Sequence, residues 1–224
     1  MLRISRRAFI GGLGSLLPGT PSITSAQTLL ARPRWEPWKR IPSLVVMSAA
    51  DDVRLPAVHE AVGFWNAVFA NLGSRFRLGP IAHTAETIPH DELRRLLAAG
   101  LVNVLDRISR SRADIIVCLS DLSSSPYAYG APWVRKILVV IGGDFTYLAP
   151  HPNGVQNVIA HELGHAIGLG HNNETSALMC GGGALCNFKS VLHHGFLPLT
   201  RGEKLRLLEM YPSDWQEDEE PLRQ

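Results

Sequence analysis

The residues best suited to chemistry lie in one short stretch, 161–171, which reads HELGHAIGLGH. His161 and His165 are four residues apart, so a helix would project both imidazoles from one face with a rise of about 6 Å between them. Two imidazoles at that spacing can hold a zinc ion. Glu162, rotated by about 100° from His161, would lie beside the ion, where it can take a proton from water.

A third histidine completes the pattern only if the helix ends early. In a continued helix, His171 would lie about 15 Å along the axis from His161 and could not reach the same ion. Gly168 allows the left-handed backbone that ends many helices, and Gly170 adds further freedom. Three protein ligands would leave one coordination position open, as in catalytic zinc sites. The sequence therefore predicts one zinc ion per chain, held by His161, His165 and His171.

The elements around this stretch alternate between strands and helices. Apolar runs predict strands at 43–48, 75–78, 114–119 and 136–141, and residues 123–132 are expected to form a loop. Helices are expected from Asp51 or Asp52 to Gly73, over 91–108, over 154–169 with Asn153 as the cap, and from the capping box of Thr200 and Glu203 onward. Leu205 and Leu208 of the last helix are expected to face inward. This alternation indicates an α/β fold with a mixed, mostly parallel sheet.

The zinc stretch, followed eight residues later by the methionine of Ala177-Leu178-Met179, resembles the metzincin clan of zinc peptidases, and most closely the matrixins. The resemblance implies a zinc endopeptidase in which a zinc-activated water attacks the peptide bond and Glu162 is the general base. It also implies that Met179 lies beneath the metal. The implied fold is a sheet with an active-site helix, followed by a smaller, irregular C-terminal subdomain that ends in a helix.

Several family features differ or are missing in this chain. Many matrixins have Tyr-Pro after the methionine, whereas this sequence has Cys180-Gly181. Some metzincins use a tyrosine at the position of Gly181 as a further zinc ligand. The sequence shows neither the cysteine-bearing latch of a matrixin propeptide in residues 27–42 nor the Asp- and Gly-rich loops that hold calcium and a second zinc.

A protein or peptide is the expected substrate, bound extended along a sheet edge that we place at residues 127–132. Residues 181–198 would line the pocket beyond the scissile bond and favour apolar side chains, through Phe188, Val191, Leu192, Phe196 and Leu197. Two other functions remain open. One is a zinc-containing binding module without turnover, and the other is a zinc amidase that acts on cell-wall peptides.

The N-terminus has the order of an export signal. Arg6 and Arg7 precede a weakly apolar stretch and the small-residue site Thr24-Ser25-Ala26, which resembles a bacterial twin-arginine signal. An ordinary secretory signal and a frayed N-terminal helix of the mature fold are the alternatives. We therefore expect an exported protein, periplasmic or extracellular. The predicted organisation is a signal peptide at 1–26, a linker at 27–42, the zinc peptidase domain at 43–213 and an acidic tail at 214–224.

Composition argues against some other functions. The chain has 224 residues, of which 46% are hydrophobic and 19% charged, as expected for a globular protein. Its formal charge of +2 depends on three arginines in the first 26 residues, and without them the balance is slightly acidic. No basic surface for nucleic acid is therefore predicted. No apolar run reaches the roughly 18–20 residues of a membrane span, so stable membrane insertion is not expected either.

The remaining cysteines and histidines are secondary candidates. Cys180 and Cys186 flank a short loop and would form a disulfide in an oxidising compartment, although three reduced cysteines remain the alternative. Cys118 lies in an apolar run and is expected to be a free core thiol. His193 and His194 suggest either a second metal site or a surface loop. The isolated histidines are His59, His83, His90 and His151.

Overall fold

A computed structural model of the chain describes residues 36–99, 108, 110–122, 126–131, 136–143, 153–181 and 195–218. The chain divides into two units, Met1–Arg32 and Pro33–Gln224, and all described residues belong to the second. The predicted signal peptide therefore lies outside the described residues. So do most of the linker and the last six residues of the tail.

A five-stranded sheet forms the centre of the domain. Its strands are β1 (Leu44–Met47), β2 (Ile81–Thr84), β3 (Ile115–Leu119), β4 (Tyr127–Ala131) and β5 (Lys136–Ile141). Their order across the sheet is β2-β1-β3-β5-β4. All neighbouring pairs are parallel except β4 with β5, which is antiparallel. The α/β fold with a mostly parallel sheet is confirmed.

Helices cover both faces of the sheet. They are α1 (Leu55–Asn71), α2 (His90–Ala99), α3 (Gly154–Ala166) and α4 (Arg201–Met210). Residues 108 and 110 are also helical, and 100–107 of the predicted second helix lie outside the described ranges. Within those ranges, no helix combines the length and apolarity needed to cross a membrane.

Strand β3 shows why its sequence is continuously apolar. Ile115, Val117 and Leu119 face one hydrophobic cluster, together with side chains of α1 and α3. Ile116 and Cys118 alternate with them and face a second cluster on the other side of the sheet. Successive residues of a strand point to opposite faces, so a strand covered on both sides needs apolar residues throughout. Cys118 is a free, buried thiol, as predicted.

Helix α1 buries one apolar face and begins later than predicted. Val58, Val62, Trp65 and Phe69 are buried, and Gly73 after the helix has a φ of 77°. The N-cap is Arg54, not Asp51 or Asp52, and no side chain caps the helix. The Asp52 carboxylate instead accepts hydrogen bonds from Arg54, which explains why it does not cap.

Two other predictions are wrong, one near each edge strand of the sheet. The strand expected at 75–78 is absent, and β2 lies at Ile81–Thr84 instead. The side-chain amide of Asn66 donates to the Leu78 carbonyl and accepts from the Leu78 N–H. These two backbone groups would otherwise pair with a neighbouring strand. The expected loop at 123–132 contains β4, because its backbone pairs with β5.

The last helix buries a different stripe from the one predicted. Thr200 and Glu203 form the expected capping box. Leu205, however, is 52% exposed and Leu208 is only half-buried, whereas Leu207 and Met210 are buried. The buried stripe therefore runs through Glu203, Leu207 and Met210, which are spaced like one face of a helix.

A partly buried polar cluster connects the loop before α1 to the carboxyl ends of β3 and β5. The Arg54 guanidinium donates to the carbonyls of Ser120, Ile141 and Gly142 at 2.9–3.3 Å. It also binds both carboxylate oxygens of Asp52. We call these two side chains and their three carbonyl partners the Arg54 cluster.

Candidate metal centre

Helix α3 ends three residues earlier than predicted, and this ending lets the third histidine return. Ala166 is its last residue, and Gly168 has a φ of 98°, in the left-handed region predicted for it. The N–H groups of Gly168 and Leu169 close the turn on the carbonyls of His165 and Gly164. Gly168 thus turns the chain so that His171 faces His161 and His165.

The three histidines converge on one point. Their Nε2 atoms lie 3.2 Å apart for His161 and His171, 3.1 Å for His165 and His161, and 3.1 Å for His165 and His171. Nitrogens bound to a tetrahedral zinc at about 2.0–2.1 Å would be separated by about 3.3 Å. The cluster could therefore hold a metal ion of this size.

Backbone carbonyls set the tautomers of two histidines. His161 Nδ1 is 2.7 Å from the Leu178 carbonyl oxygen, and His165 Nδ1 is 2.8 Å from that of Leu169. Because a carbonyl only accepts, each Nδ1 must donate its hydrogen, which leaves the Nε2 lone pair for the shared point. Metal-binding histidines commonly have this second hydrogen bond.

Burial keeps both helix histidines neutral. Desolvation lowers the pKa of His161 to about 4, although its bond to Leu178 acts in the opposite direction. Desolvation, together with the nearby His161, lowers the pKa of His165 to about 3. At neutral pH both rings are in the unprotonated form that binds metals.

Glu162, the residue after His161 on α3, has one carboxylate oxygen unsatisfied. The side chain is 5% exposed, and its Oε2 atom is buried without a hydrogen-bond partner. The backbone N–H of Ala128, in β4, donates to the carboxylate, while desolvation raises the pKa to about 8. Buried polar atoms are rarely left unpaired, so this oxygen is available to accept a hydrogen bond or a proton.

Met179 lies directly against Gly164 of α3. It is fully buried. A Cβ atom at Gly164 would lie 2.5 Å from its sulfur, so only glycine lets the helix and the methionine approach this closely. The preceding residue, Leu178, supplies the carbonyl that orients His161. Residues 178 and 179 therefore support the histidine cluster, the first by a hydrogen bond to His161 and the second by packing against α3.

Gly181 makes a second close approach. A Cβ atom there would lie 2.4 Å from both Cβ and Cγ of His171. The position at which some metzincins place a tyrosine is thus occupied by the backbone that contacts the third histidine. A larger residue at 181 would displace that ring.

Aromatic donors satisfy the end of α3, which the sequence did not indicate. Trp38 Nε1 donates to the Ala166 carbonyl at 2.9 Å, and the Tyr211 hydroxyl donates to that of Ile167 at 3.1 Å. The last carbonyls of a helix have no partner within it, so these bonds stabilise the turn that leads to His171. The predicted linker contributes Trp38 directly to the domain.

The isolated histidines that the structure describes are not part of this cluster. Among the described residues, the three histidines form the one cluster of His, Cys, Asp or Glu placed to hold a metal, which leaves out His59, His83 and His90. Cys180 is disulfide-bonded. Its predicted partner Cys186 lies outside the described residues, and so do His151, His193 and His194, so those predictions remain untested.

The predicted pocket wall at 181–198 is described only at 181 and 195–198. Phe196 stacks on Phe64 of α1, with ring centroids 4.3 Å apart. The Asn157 side chain binds the Gly195 carbonyl and the Leu197 N–H. This end of the segment is fixed to α1 and α3.

The donor set fits zinc, because three imidazole nitrogens lie at nearly tetrahedral spacing. The family model for matrixins matches residues 108–191, which include this set. The predicted resemblance is confirmed. No curated protein matches the chain.

Solved structures of metallopeptidases are similar to the chain. Metalloproteinase-II from Bacteroides fragilis is 13% identical, with a TM-score of 0.48, over 80% of this chain and 55% of that one, so the chain spans about half its length. Archaemetzincin from Methanopyrus kandleri is 17% identical, with a TM-score of 0.43, over 80% and 97%. A zinc-dependent peptidase from Methanocorpusculum labreanum is 14% identical, with a TM-score of 0.38, over 74% and 99%.

Proposed function

We propose that this protein is a zinc-dependent endopeptidase with Glu162 as its general base. Its histidine cluster lies within the residues that match the matrixin model. The observation that carries the proposal is the convergence of three Nε2 atoms within 3.2 Å of one another. The adjacent residue on the same helix, Glu162, has an unpartnered carboxylate oxygen. Convergent lone pairs and a buried, unsatisfied carboxylate oxygen are costly to maintain unless a ligand and a proton are part of their function.

The chain's own groups have distinct roles. His161, His165 and His171 would hold one zinc ion, which when bound supplies Lewis acidity toward a peptide carbonyl and toward water. Glu162 would accept the proton of the attacking water and pass it to the leaving amine. A dication nearby would favour the ionised carboxylate, which opposes the effect of burial on the Glu162 pKa.

The substrate would lie along β4. This strand is at the edge of the sheet, and its Ala128 N–H bonds to Glu162, so the edge passes beside the general base. Extended peptides commonly add to an exposed sheet edge through backbone hydrogen bonds. A protein or peptide chain of little defined structure is therefore the proposed substrate.

Replacement of Glu162 by glutamine tests the proposal. Glutamine keeps the size of the side chain but cannot accept the proton, so hydrolysis should fall by at least about 10²-fold. Zinc content should equal that of the wild type, because Glu162 is not among the proposed ligands. The measurement is the rate of cleavage of a denatured protein and of cell-wall peptides by purified, zinc-loaded protein.

The outcomes separate the three candidate functions. Cleavage of the denatured protein alone supports the endopeptidase, and cleavage of the cell-wall peptides alone supports the amidase. Equal rates for wild type and Glu162→Gln would show that Glu162 is not the base. A zinc-loaded wild type that cleaves neither substrate would leave the binding module as the better proposal.

We also propose export through the twin-arginine route. Arg6→Lys with Arg7→Lys should leave the precursor in the cytoplasm, because such signals depend on the arginine pair. Fractionation of cells that express each form measures this. A double variant that is still exported normally would indicate an ordinary secretory signal.

A further inference from the structure

Asn172, the residue after the third histidine, uses every hydrogen-bonding group it has. Its N–H donates to the Met179 carbonyl at 2.8 Å, and its carbonyl accepts from Gly181 at 3.0 Å. Its Oδ1 accepts from the Glu174 N–H at 2.7 Å, and its Nδ2 donates to Glu203 Oε1 at 2.5 Å. The residue thus connects His171 to the turn beneath the cluster and to α4.

The side chain can satisfy these partners in one orientation only. The Glu174 N–H is a donor, so it requires the amide oxygen, which places the amide nitrogen toward the Glu203 carboxylate. An aspartate at 172 would set two carboxylates against each other, and an apolar residue would leave both partners unpaired.

Glu203 does more than cap its helix. Its Oε2 accepts from the Thr200 N–H at 2.6 Å, which completes the capping box. A capping box uses only one oxygen of the glutamate carboxylate, so the other oxygen can remain exposed to solvent. Here the residue is 7% exposed, and the second oxygen binds Asn172.

The hydrogen bond between Asn172 and Glu203 helps to hold two parts of the cluster, His171 and the Leu178 carbonyl that orients His161. An isolated bridge pairs Asn172 with Cys180, just after Leu178, whose carbonyl orients His161. Displacement of Asn172 would therefore move His171 directly and the acceptor of His161 indirectly. We infer that Asn172 and Glu203 are positioning residues that set the zinc affinity of the histidine cluster, an inference that rests on the proposed function for the identity of the metal.

A pair of reciprocal substitutions tests this. Asn172→Asp removes the donor to Glu203 but keeps the acceptor for Glu174. Glu203→Gln alone must turn its amide nitrogen toward another donor, either Asn172 or Thr200. In the double variant, the carboxylate introduced at position 172 accepts from the glutamine amide, whose oxygen still accepts from Thr200, so every partner is satisfied again.

The measurements are the zinc dissociation constant, by competition with a chromogenic chelator, and the thermal midpoint of the metal-free protein. Each single variant should bind zinc about 10–100-fold more weakly, the usual cost of losing a partner behind a metal ligand, and the double variant should recover most of that loss. The control is Thr200→Ala, which breaks the cap but keeps the bond to Asn172. It should lower the midpoint while zinc affinity changes by no more than about twofold.

Several results would overturn the inference. They are single variants that bind zinc as tightly as the wild type, a double variant no better than the singles, or a Thr200→Ala loss of affinity as large as theirs. If Asn172→Asp alone does not fold, Glu203→Gln against the double variant makes the same comparison. A wild type that binds no zinc overturns both proposals. If the affinities follow the expected pattern but nothing is cleaved, the peptidase proposal fails and the positioning pair stands.

Discussion

Two polar clusters of this domain, each only partly buried, differ in how completely their groups are satisfied. In the Arg54 cluster, the guanidinium binds three carbonyls and both oxygens of Asp52, and the two side chains are 10% and 8% exposed. In the histidine cluster, three nitrogen lone pairs meet, and Glu162 Oε2 has no partner. The Arg54 cluster lies at the start of α1, and the histidine cluster lies toward the end of α3. Only the second of these regions includes a side-chain oxygen without a hydrogen-bond partner.

The difference separates a structural site from a functional one. A cluster whose donors and acceptors are all paired holds the fold together and has nothing left for a ligand. A cluster whose lone pairs converge is unfavourable until a cation arrives. Variants of the two clusters should therefore affect different quantities: zinc binding in one and the free energy of unfolding in the other.

The largest effect is expected from the histidine cluster. His165→Ala should abolish zinc binding at concentrations that saturate the wild type, because two ligands cannot replace three at a tetrahedral site. Metal analysis after dialysis against zinc measures it. His59→Ala, which changes an exposed histidine outside the cluster, should bind zinc normally. Retention of one zinc ion by His165→Ala would remove that residue from the ligand set.

The Arg54 cluster should respond in stability instead. Arg54→Met would leave the partly buried Asp52 carboxylate and three carbonyls without their partner, which should cost about 1–3 kcal/mol of unfolding free energy. Zinc affinity of the folded protein should be unchanged. Denaturant titration measures the loss, with the exposed Arg95→Met as the control, since exposed ion pairs contribute about 0–1 kcal/mol. A change in Arg54→Met no larger than in the control would mean that the guanidinium is dispensable.

A smaller and more local effect is expected at Gly181. Gly181→Ala would push its methyl group against the His171 ring, so zinc affinity should fall by about tenfold, at the lower end of the effects seen behind metal ligands. Calorimetric titration with zinc measures this. Gly170→Ala is the matched control, because a Cβ atom there meets nothing within 4 Å. Equal affinities for both variants would show that His171 moves aside without cost.

Much of the candidate site could be predicted because it is local. His161 and His165 share a face wherever that segment is helical, and Gly168 has the φ of 98° that a helix end with a returning chain requires. The capping box of Thr200 and Glu203 is likewise a matter of neighbours in sequence. These features depend on helical geometry, which sequence spacing determines.

Other features depend on partners distant in the chain. The backbone of Leu78 pairs with the Asn66 amide, so the predicted strand at 75–78 is replaced by β2. Residues 127–131 become a strand only because β5 is available beside them. Trp38 reaches the end of α3 across 128 positions of sequence. No local pattern shows any of these pairings.

The sequence alone determined the mostly parallel α/β arrangement and the three-histidine motif with its glutamate, because both follow from the period of helices and strands. Which face of α4 is buried was decided by tertiary structure. A hydrophobic pattern favoured Leu205, but Leu205 is exposed and the buried face includes Glu203. A carboxylate is accepted there because Asn172 and Thr200 supply the hydrogen bonds that water would otherwise provide.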